Sequence, residues 1–482
     1  MRPGRSERDS ACLNSVPFAP FDAFALERRF SCRSARGCSV GRAVHALLAM
    51  KEDVMTNPSG RADVRAILSN TQYQFDVRAI PIGMQMLFVA FGSLVLVPIL
   101  TGLDPNVALF TAGAGTLLFQ LVTRGKVPVF LASSFAFIAP IQVGVQRWGL
   151  AETLSGLVAA GLLYMVLAVL IRARGVAAFE RLLPPIVTGP VIMVIGLSLA
   201  PVAVDMGTNV AGAYSWSAVA VAMIALIATA ITALMGRGLL RLTPILVGLA
   251  VGYAAAIPFG FLDLSPIREA AWLAVPSFTT PTFHLPAILF ILPVAIAPAI
   301  EHFGDVLAIR SVTGKDYLAD PGVDRTMLGD GLATGLAGML GGPPNTTYSE
   351  VSGAVALTRA FNPAVMTTAA VFAIVLAFVG KLGAFLQTIP GPVMGGILVL
   401  LFGGIVVVGM NSLVRAGTDL TEARNLVIAS VILVFGVGGM LFSFGEFRLE
   451  GIGLAGLVGV LLNWILPRGE PVDSAGASGD GA

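Results

Sequence analysis

Apolar residues in this chain run on in long blocks, each closed by a short polar or charged stretch, and follow neither strand alternation nor a single helical face. A bilayer core of about 30 Å takes roughly 20 helical residues. By that ruler twelve segments read as membrane spans: Ile80 to Thr101, Asn106 to Thr123, Ala151 to Arg172, Pro184 to Val204, Tyr214 to Met235, Leu242 to Phe261, Leu285 to Ile309, Thr326 to Leu340, Pro363 to Gly380, Pro392 to Met410, Asn425 to Leu441 and Gly451 to Leu466. Two further segments, Pro128 to Val143 and Asn345 to Thr358, are too short or too polar for regular spans, yet each sits between clear neighbours. The pattern predicts an all-α polytopic membrane protein.

Lysine and arginine decide the count, because cytoplasmic loops hold the excess. Fourteen crossings with both termini inside place eighteen cations within, among them Arg124, Lys126, Arg172, Arg310, Lys315, Arg325 and Arg424, and leave only Arg147, Arg268, Lys381 and Arg448 outside. Dropping one short segment would reverse every loop as far as the other. Both are therefore expected to cross, as spans 3 and 10 of fourteen.

Internal similarity divides the body in two. Leu183-Pro-Pro-Ile-Val-Thr-Gly-Pro-Val-Ile-Met193 resembles Ile389-Pro-Gly-Pro-Val-Met-Gly-Gly-Ile397, and each follows a short segment led by Pro128 or Pro343 by about fifty residues. Seven spans per repeat make the repeats inverted in the membrane. The expected organisation is a cytoplasmic tail 1–76, a first repeat 77–262, a second repeat 284–467 and a cytoplasmic tail 468–482. Broken spans at matching places put half-helix N-termini and free backbone groups near the midplane, where irregular backbone survives only against protein or a water-filled cavity. That is the place to seek a substrate site; two re-entrant loops that merely pack are the plainer reading.

Composition excludes the soluble classes. Hydrophobic residues make up 56% and charged ones 12%, with a mean hydropathy of +0.85, which leaves no room for a soluble enzyme or a nucleic-acid binder. Cys12, Cys32 and Cys38 all precede the hydrophobic body, and His45, His284 and His302 lack metal-ligand spacing, so neither a disulfide framework, a metal nor a cofactor is expected. The first 50 residues carry eight Arg and no Lys. They read as a basic tail, or as an over-long start that translation from Met50 or Met55 would remove.

Four acids lie inside the spans: Glu301 and Asp305 one helical turn apart in the eighth, Asp330 in the ninth and Glu350 in the tenth. Each costs at least ~2.5–3.5 kcal/mol to insert, so each is a functional candidate by default. No Lys or Arg lies deep enough to pair with them, and low dielectric disfavours the charge of an unpaired carboxyl. Such groups suit proton coupling, and once ionised they accept hydrogen bonds from a neutral substrate bearing N–H groups. Any one of them could instead cap or bridge helices. His302 points about 100° from Glu301 and reads as a packing residue. In the first short segment, Val127-Pro-Val-Phe-Leu-Ala-Ser-Ser-Phe-Ala-Phe-Ile-Ala-Pro140, rings sit among hydroxyls. A flat heterocycle could rest there, although a lone Phe135 is more often core than platform.

Ser133-Ser-Phe-Ala-Phe137, Glu301-His-Phe-Gly-Asp305 and Pro344-Asn-Thr-Thr-Tyr-Ser-Glu-Val-Ser-Gly-Ala-Val-Ala-Leu-Thr-Arg359 resemble the nucleobase/ascorbate transporter family, and within it bacterial uracil and xanthine permeases. The resemblance runs from about Ile80 to Leu466. It implies a core domain of spans 1 to 4 and 8 to 11, a gate domain of spans 5 to 7 and 12 to 14, proton-coupled nucleobase uptake across the inner membrane, and often a homodimer. Residue by residue it implies that Glu301 and Glu350 hydrogen-bond the base. Phe135 supplies ring and backbone contacts, Ser349 a backbone contact and Ser93 a small wall, while Tyr348 shapes the pocket. Glu301 and Asp305 are the proton-coupling candidates.

Three positions depart from the uracil pattern. Asp305 stands where uracil permeases usually have His, as in the xanthine branch; Val351 replaces the usual Asn after the signature acid; Phe402, in the gate, replaces Tyr. Glu350 itself, the Asn345-Thr-Thr-Tyr348 run and Thr358-Arg359 favour uracil. The expectation is a proton-coupled uracil importer, with xanthine or another purine as the alternative. A sulfate-type anion transporter of the same architecture is disfavoured because Glu301 and Glu350 would repel an anion, and an embedded enzyme lacks any nucleophile and base constellation.

Overall fold

A computed structural model describes residues 69–177, 181, 183–237, 240–444 and 447–467. The cysteines, the start codon, the tail 468–482 and all of the tail 1–76 but its residues 69–76 lie outside the described residues. In chain order the helices of ten residues or more among the described residues are α1 (Ile80–Thr101), α2 (Pro105–Val122), α3 (Ile138–Trp148), α4 (Leu150–Arg174), α5 (Pro185–Thr208), α6 (Trp216–Met235), α7 (Pro244–Ala256), α8 (Leu285–Thr313), α9 (Val323–Leu340), α10 (Ser349–Thr358), α11 (Ala364–Ala377), α12 (Gly391–Arg415), α13 (Ala423–Val437) and α14 (Gly451–Ile465), with shorter helices at Ser265–Glu269 and Gly380–Gln387. Among the described residues, α1, α2, α4, α5, α6, α8 and α12 are long and apolar enough to cross a bilayer. The molecule is a mostly helical, multi-pass membrane protein.

Several helices stop where backbone chemistry stops them. The block expected to reach Phe261 ends at Ala256; Ile257 keeps helical angles as its C-cap, and Pro258 beyond it has no N–H to extend the ladder. The one expected to reach Leu441 ends at Val437, before the Gly438-Gly439 pair. α5 runs four residues past Val204, to Thr208. A 3₁₀ turn at Leu292–Ala295, containing Pro293, bends α8 before its acids.

The two short segments are not helical throughout, a correction to the all-α expectation. Behind Pro128 the chain is extended as β1 (Leu131–Ser133), passes through a 3₁₀ turn (Phe135–Phe137) and becomes α3. Behind Pro343-Pro344 it is extended as β2 (Asn345–Thr347) and becomes α10. β1 and β2 pair antiparallel, with Leu131 opposite Thr347, Ala132 opposite Thr346 and Ser133 opposite Asn345. All six residues are buried. Two further short hairpins, Asn209–Val210 with Ala213–Tyr214 and Leu441–Phe444 with Phe447–Glu450, cap helix ends.

Helices pack in two groups: α1 to α4 with α8 to α11, and α5 to α7 with α12 to α14. In each, small residues let backbones approach closely. A Cβ on Gly161 of α4 would lie 2.7 Å from the Gly331 carbonyl of α9, and one on Gly189 of α5 2.9 Å from that of Gly409 in α12. The groups meet through α8 against α5 and α14, and through α1 against α7.

Charges separate to opposite ends of the bundle. At one end Arg147 pairs with Glu450 at 3.7 Å, and Lys381 donates to the carbonyls of Ile267 and Arg268. At the other, Lys126 pairs with Asp320, Arg310 with Asp316 at 3.4 Å, and Lys315 donates to the Thr71 carbonyl. The hydrogen bond from Lys126, with the charges of Lys126, Lys315 and Arg325 close by, holds the Asp320 carboxyl below the usual carboxylate range. That tie between the loops after α2 and α8 is complete at neutral pH and is lost as acidification protonates Asp320.

Candidate functional site

An extended strand in the middle of a membrane bundle leaves backbone groups without helical partners, and each must be met by protein. Neighbouring helices supply them. The Leu131 amide donates to the Thr116 hydroxyl of α2 at 2.9 Å, and the Thr334 hydroxyl of α9 donates to the Asn345 carbonyl at 2.5 Å. The Asn345 side-chain amide donates to the Thr111 carbonyl of α2 at 2.9 Å, and the Ser134 amide to the Pro344 carbonyl at 2.9 Å. Thr334→Val leaves the Asn345 carbonyl buried with one donor fewer. It is expected to destabilise the protein by about 1–3 kcal/mol, read as a lower melting midpoint of the solubilised protein.

From this cross, α3 and α10 lead away with their N-termini at the strand pair. Glu350 sits in the first turn of α10, where the helix dipole and free amides favour a negative charge. Glu301 lies on α8, which packs against α10. Its carboxyl is close enough to those of Asp305, Glu350 and Asp330 to feel their charges. Neither Glu301 nor Glu350 is packed away: Glu301 is half-buried and Glu350 exposed. One turn on from each is a glycine, Gly304 and Gly353, and a Cβ on either would meet nothing within 4 Å. The two acids thus line open space between α8 and α10.

Aromatic rings close one side of that space. Phe135 lies 6.3 Å from Tyr348, tilted at 42°, and 6.3 Å from Phe402 of α12, edge-on at 84°. Tyr348 faces Ser93 of α1 and Glu350. Phe135, Tyr348, Phe402 and Ser93 are buried. Phe402 belongs to the second helix group, so the Phe135–Phe402 contact spans both. The hydroxyls of Ser133, Ser134 and Thr347 are buried and make no hydrogen bond among the described residues. Acceptor carboxylates, helix N-terminal amides, spare hydroxyls and a ring make a site for a flat polar heterocycle.

Residues 77–443 match the family model described as "Permease family", that of the xanthine and uracil permeases. This chain belongs to the nucleobase/ascorbate transporter family. A "Probable uracil permease" of Pasteurella multocida is 57% identical over 388 residues, covering 80% of this chain and 93% of the relative. The "Uracil permease" of Bacillus caldolyticus is 45% identical over 396 residues, covering 80% and 92%. Among solved structures, the transmembrane domain of a cyanobacterium bicarbonate transporter, BicA, matches 81% of this chain and 99% of its own length, with a TM-score of 0.56 at 15% identity. It shares the fold. Membership makes the chain a transporter, not an enzyme.

Of the residues singled out in the sequence, Glu301, Glu350, Phe135, Tyr348, Ser93 and Phe402 converge, and Ser349 opens α10 beside them. Asp305 is buried behind Glu301. His302 is more than packing. Its Nδ1 lies 3.3 Å from Asp330 and its Nε2 3.0 Å from the Thr326 hydroxyl, with His302 and both partners buried. Asp330 therefore has a partner after all, and it also accepts from Thr346 of β2 at 3.5 Å. Sequence reasoning missed Thr111, Thr116 and Thr334; their signal was hydroxyls recurring mid-span in α2 and α9.

Proposed function

We propose that this protein imports a nucleobase across the inner membrane by proton symport, with uracil as substrate and xanthine as the alternative. The observation that carries the reading is the pair Glu301 and Glu350 lining open space beside the β1–β2 cross and Phe135. Uracil offers two ring N–H donors to carboxylates and two carbonyls to amides or hydroxyls; cytosine has an acceptor at N3 in place of the second N–H and an amino group in place of the 4-carbonyl. An anion of the kind that the BicA fold carries would face two acids. Asp305, buried one turn from Glu301, is the second proton-coupling candidate and the feature that favours xanthine.

Twelve helical spans and two broken ones make fourteen, arranged as a 7+7 inverted repeat with both termini cytoplasmic. The group α1 to α4 with α8 to α11 acts as the core domain, and α5 to α7 with α12 to α14 as the gate. Transport is movement of one against the other, in a homodimer or singly. Arg147 ends α3 in the core and Glu450 precedes α14 in the gate, so their ion pair ties the two on the outer side. Glu450→Gln is expected to raise labelling of a Gly353→Cys site by an impermeant thiol reagent added outside, roughly two- to fivefold, since a part-exposed pair contributes up to about 1 kcal/mol.

Uptake of radiolabelled uracil into permease-deficient cells tests the function, with unlabelled xanthine, cytosine and sulfate as competitors and a protonophore arm. Protonophore-sensitive uptake blocked by uracil supports it. Uptake of xanthine but not uracil moves the assignment to the alternative, and sulfate competition would overturn both.

A further inference from the structure

A cavity of about 240 Å³ opens at the bundle end where α2 and α4 finish and α9 begins, and none of the carboxylate-site residues lines it. Its wall carries Arg124, Arg172 and Arg325 against one acid, Asp324. The neighbouring cations are engaged elsewhere, Lys126 by Asp320 and Arg310 by Asp316. Three guanidinium groups around one concavity repel each other unless an anion joins them, and their planar forks suit the oxygens of a phosphate. The volume, against about 30 Å³ for a water, admits a phosphodiester with its glycerol.

The same cavity has an apolar rim. Leu121 is 75% exposed and Val169 64% exposed. From Val169 the exposed stripe continues along α4 through Val166 and Leu162, at helical spacings of three and four. The stripe leads from the arginines toward the middle of the membrane. A soluble anion would use the arginines alone, whereas a molecule with a phosphate head and acyl tails uses both.

We infer that Arg124, Arg172 and Arg325 form a binding site for an anionic phospholipid, its phosphate among the arginines and an acyl chain along the Val169–Val166–Leu162 stripe. The lipid clamps the ends of α2, α4 and α9, of which α2 and α9 also support the β1–β2 cross. Basic pockets between spans at the inner leaflet suit such headgroups, and each arginine adds about a fivefold factor. The site is independent of which base is carried.

Native mass spectrometry of the purified full chain tests it, with phosphatidylglycerol and phosphatidylcholine of identical acyl chains competing. The wild type is expected to prefer phosphatidylglycerol at least tenfold. Arg124→Gln and Arg172→Gln, both at exposed side chains, are each expected to lower that preference about fivefold, and the triple variant with Arg325→Gln to bring it near parity. Arg172→Lys, keeping charge without the fork, falls between. No preference in the wild type, an unchanged preference in the single variants, or displacement of the lipid by millimolar inorganic phosphate overturns the inference. The single variants decide it alone should the triple variant fail to fold.

Discussion

Glu350→Gln is expected to abolish uracil uptake at low substrate while leaving an inserted, monodisperse protein. The substitution keeps the side chain's shape and removes its charge. A carboxylate accepting an N–H from the base contributes about 1.5–3 kcal/mol, because the bond is charge-assisted. Its loss weakens binding roughly ten- to a hundredfold. The carboxamide can also turn an N–H toward the substrate's own N–H, which repels. Folding should not suffer, since Glu350 is exposed to the space between α8 and α10 rather than packed in the core. Direct binding of radiolabelled uracil to the purified variant is the measurement. Wild-type affinity in both Glu350→Gln and Glu301→Gln would remove these acids from the site.

The seven long apolar helices were legible because bilayer thickness fixes helix length, and a run such as Ile80–Thr101 needs no tertiary context. The broken spans were legible because Pro128 to Val143 and Asn345 to Thr358 are too short or too polar for regular spans, yet each sits between clear neighbours. Pairing of β1 with β2 was not: Ser133 and Asn345 are joined only in three dimensions. Likewise Thr116 and Thr334 look like ordinary small polar residues until the extended backbone that they meet is known. The His302–Asp330 pair escaped for a geometric reason. Helical spacing turns His302 away from Glu301, and nothing local says that α9 brings Asp330 to that side. The arginine cavity follows the same logic, since the charge rule predicted the end of the bundle for Arg124, Arg172 and Arg325 but not their convergence.

Gly353→Leu is expected to block binding without harming the fold, a combination that separates the site from its scaffold. Gly353 lies mid-way along α10, one turn beyond Glu350 and on the same face, and a Cβ there meets nothing within 4 Å. Leucine is the better helix former by about 0.8–1 kcal/mol in water, so the melting midpoint should hold or rise. The open space is where the base is expected to lie, and a four-carbon side chain in it forces overlap. Overpacking costs about 1–3 kcal/mol, which weakens binding roughly fivefold to about 150-fold. Gly353→Ala should weaken it less. Gly115→Leu gives the opposite result: a Cβ there lies 2.8 Å from the Asn345 amide nitrogen and 3.0 Å from Ala333, so the support of β2 gives way and stability falls with transport. Normal uracil binding by Gly353→Leu would place the substrate elsewhere, whereas loss of binding with an intact melt puts it between Glu301 and Glu350.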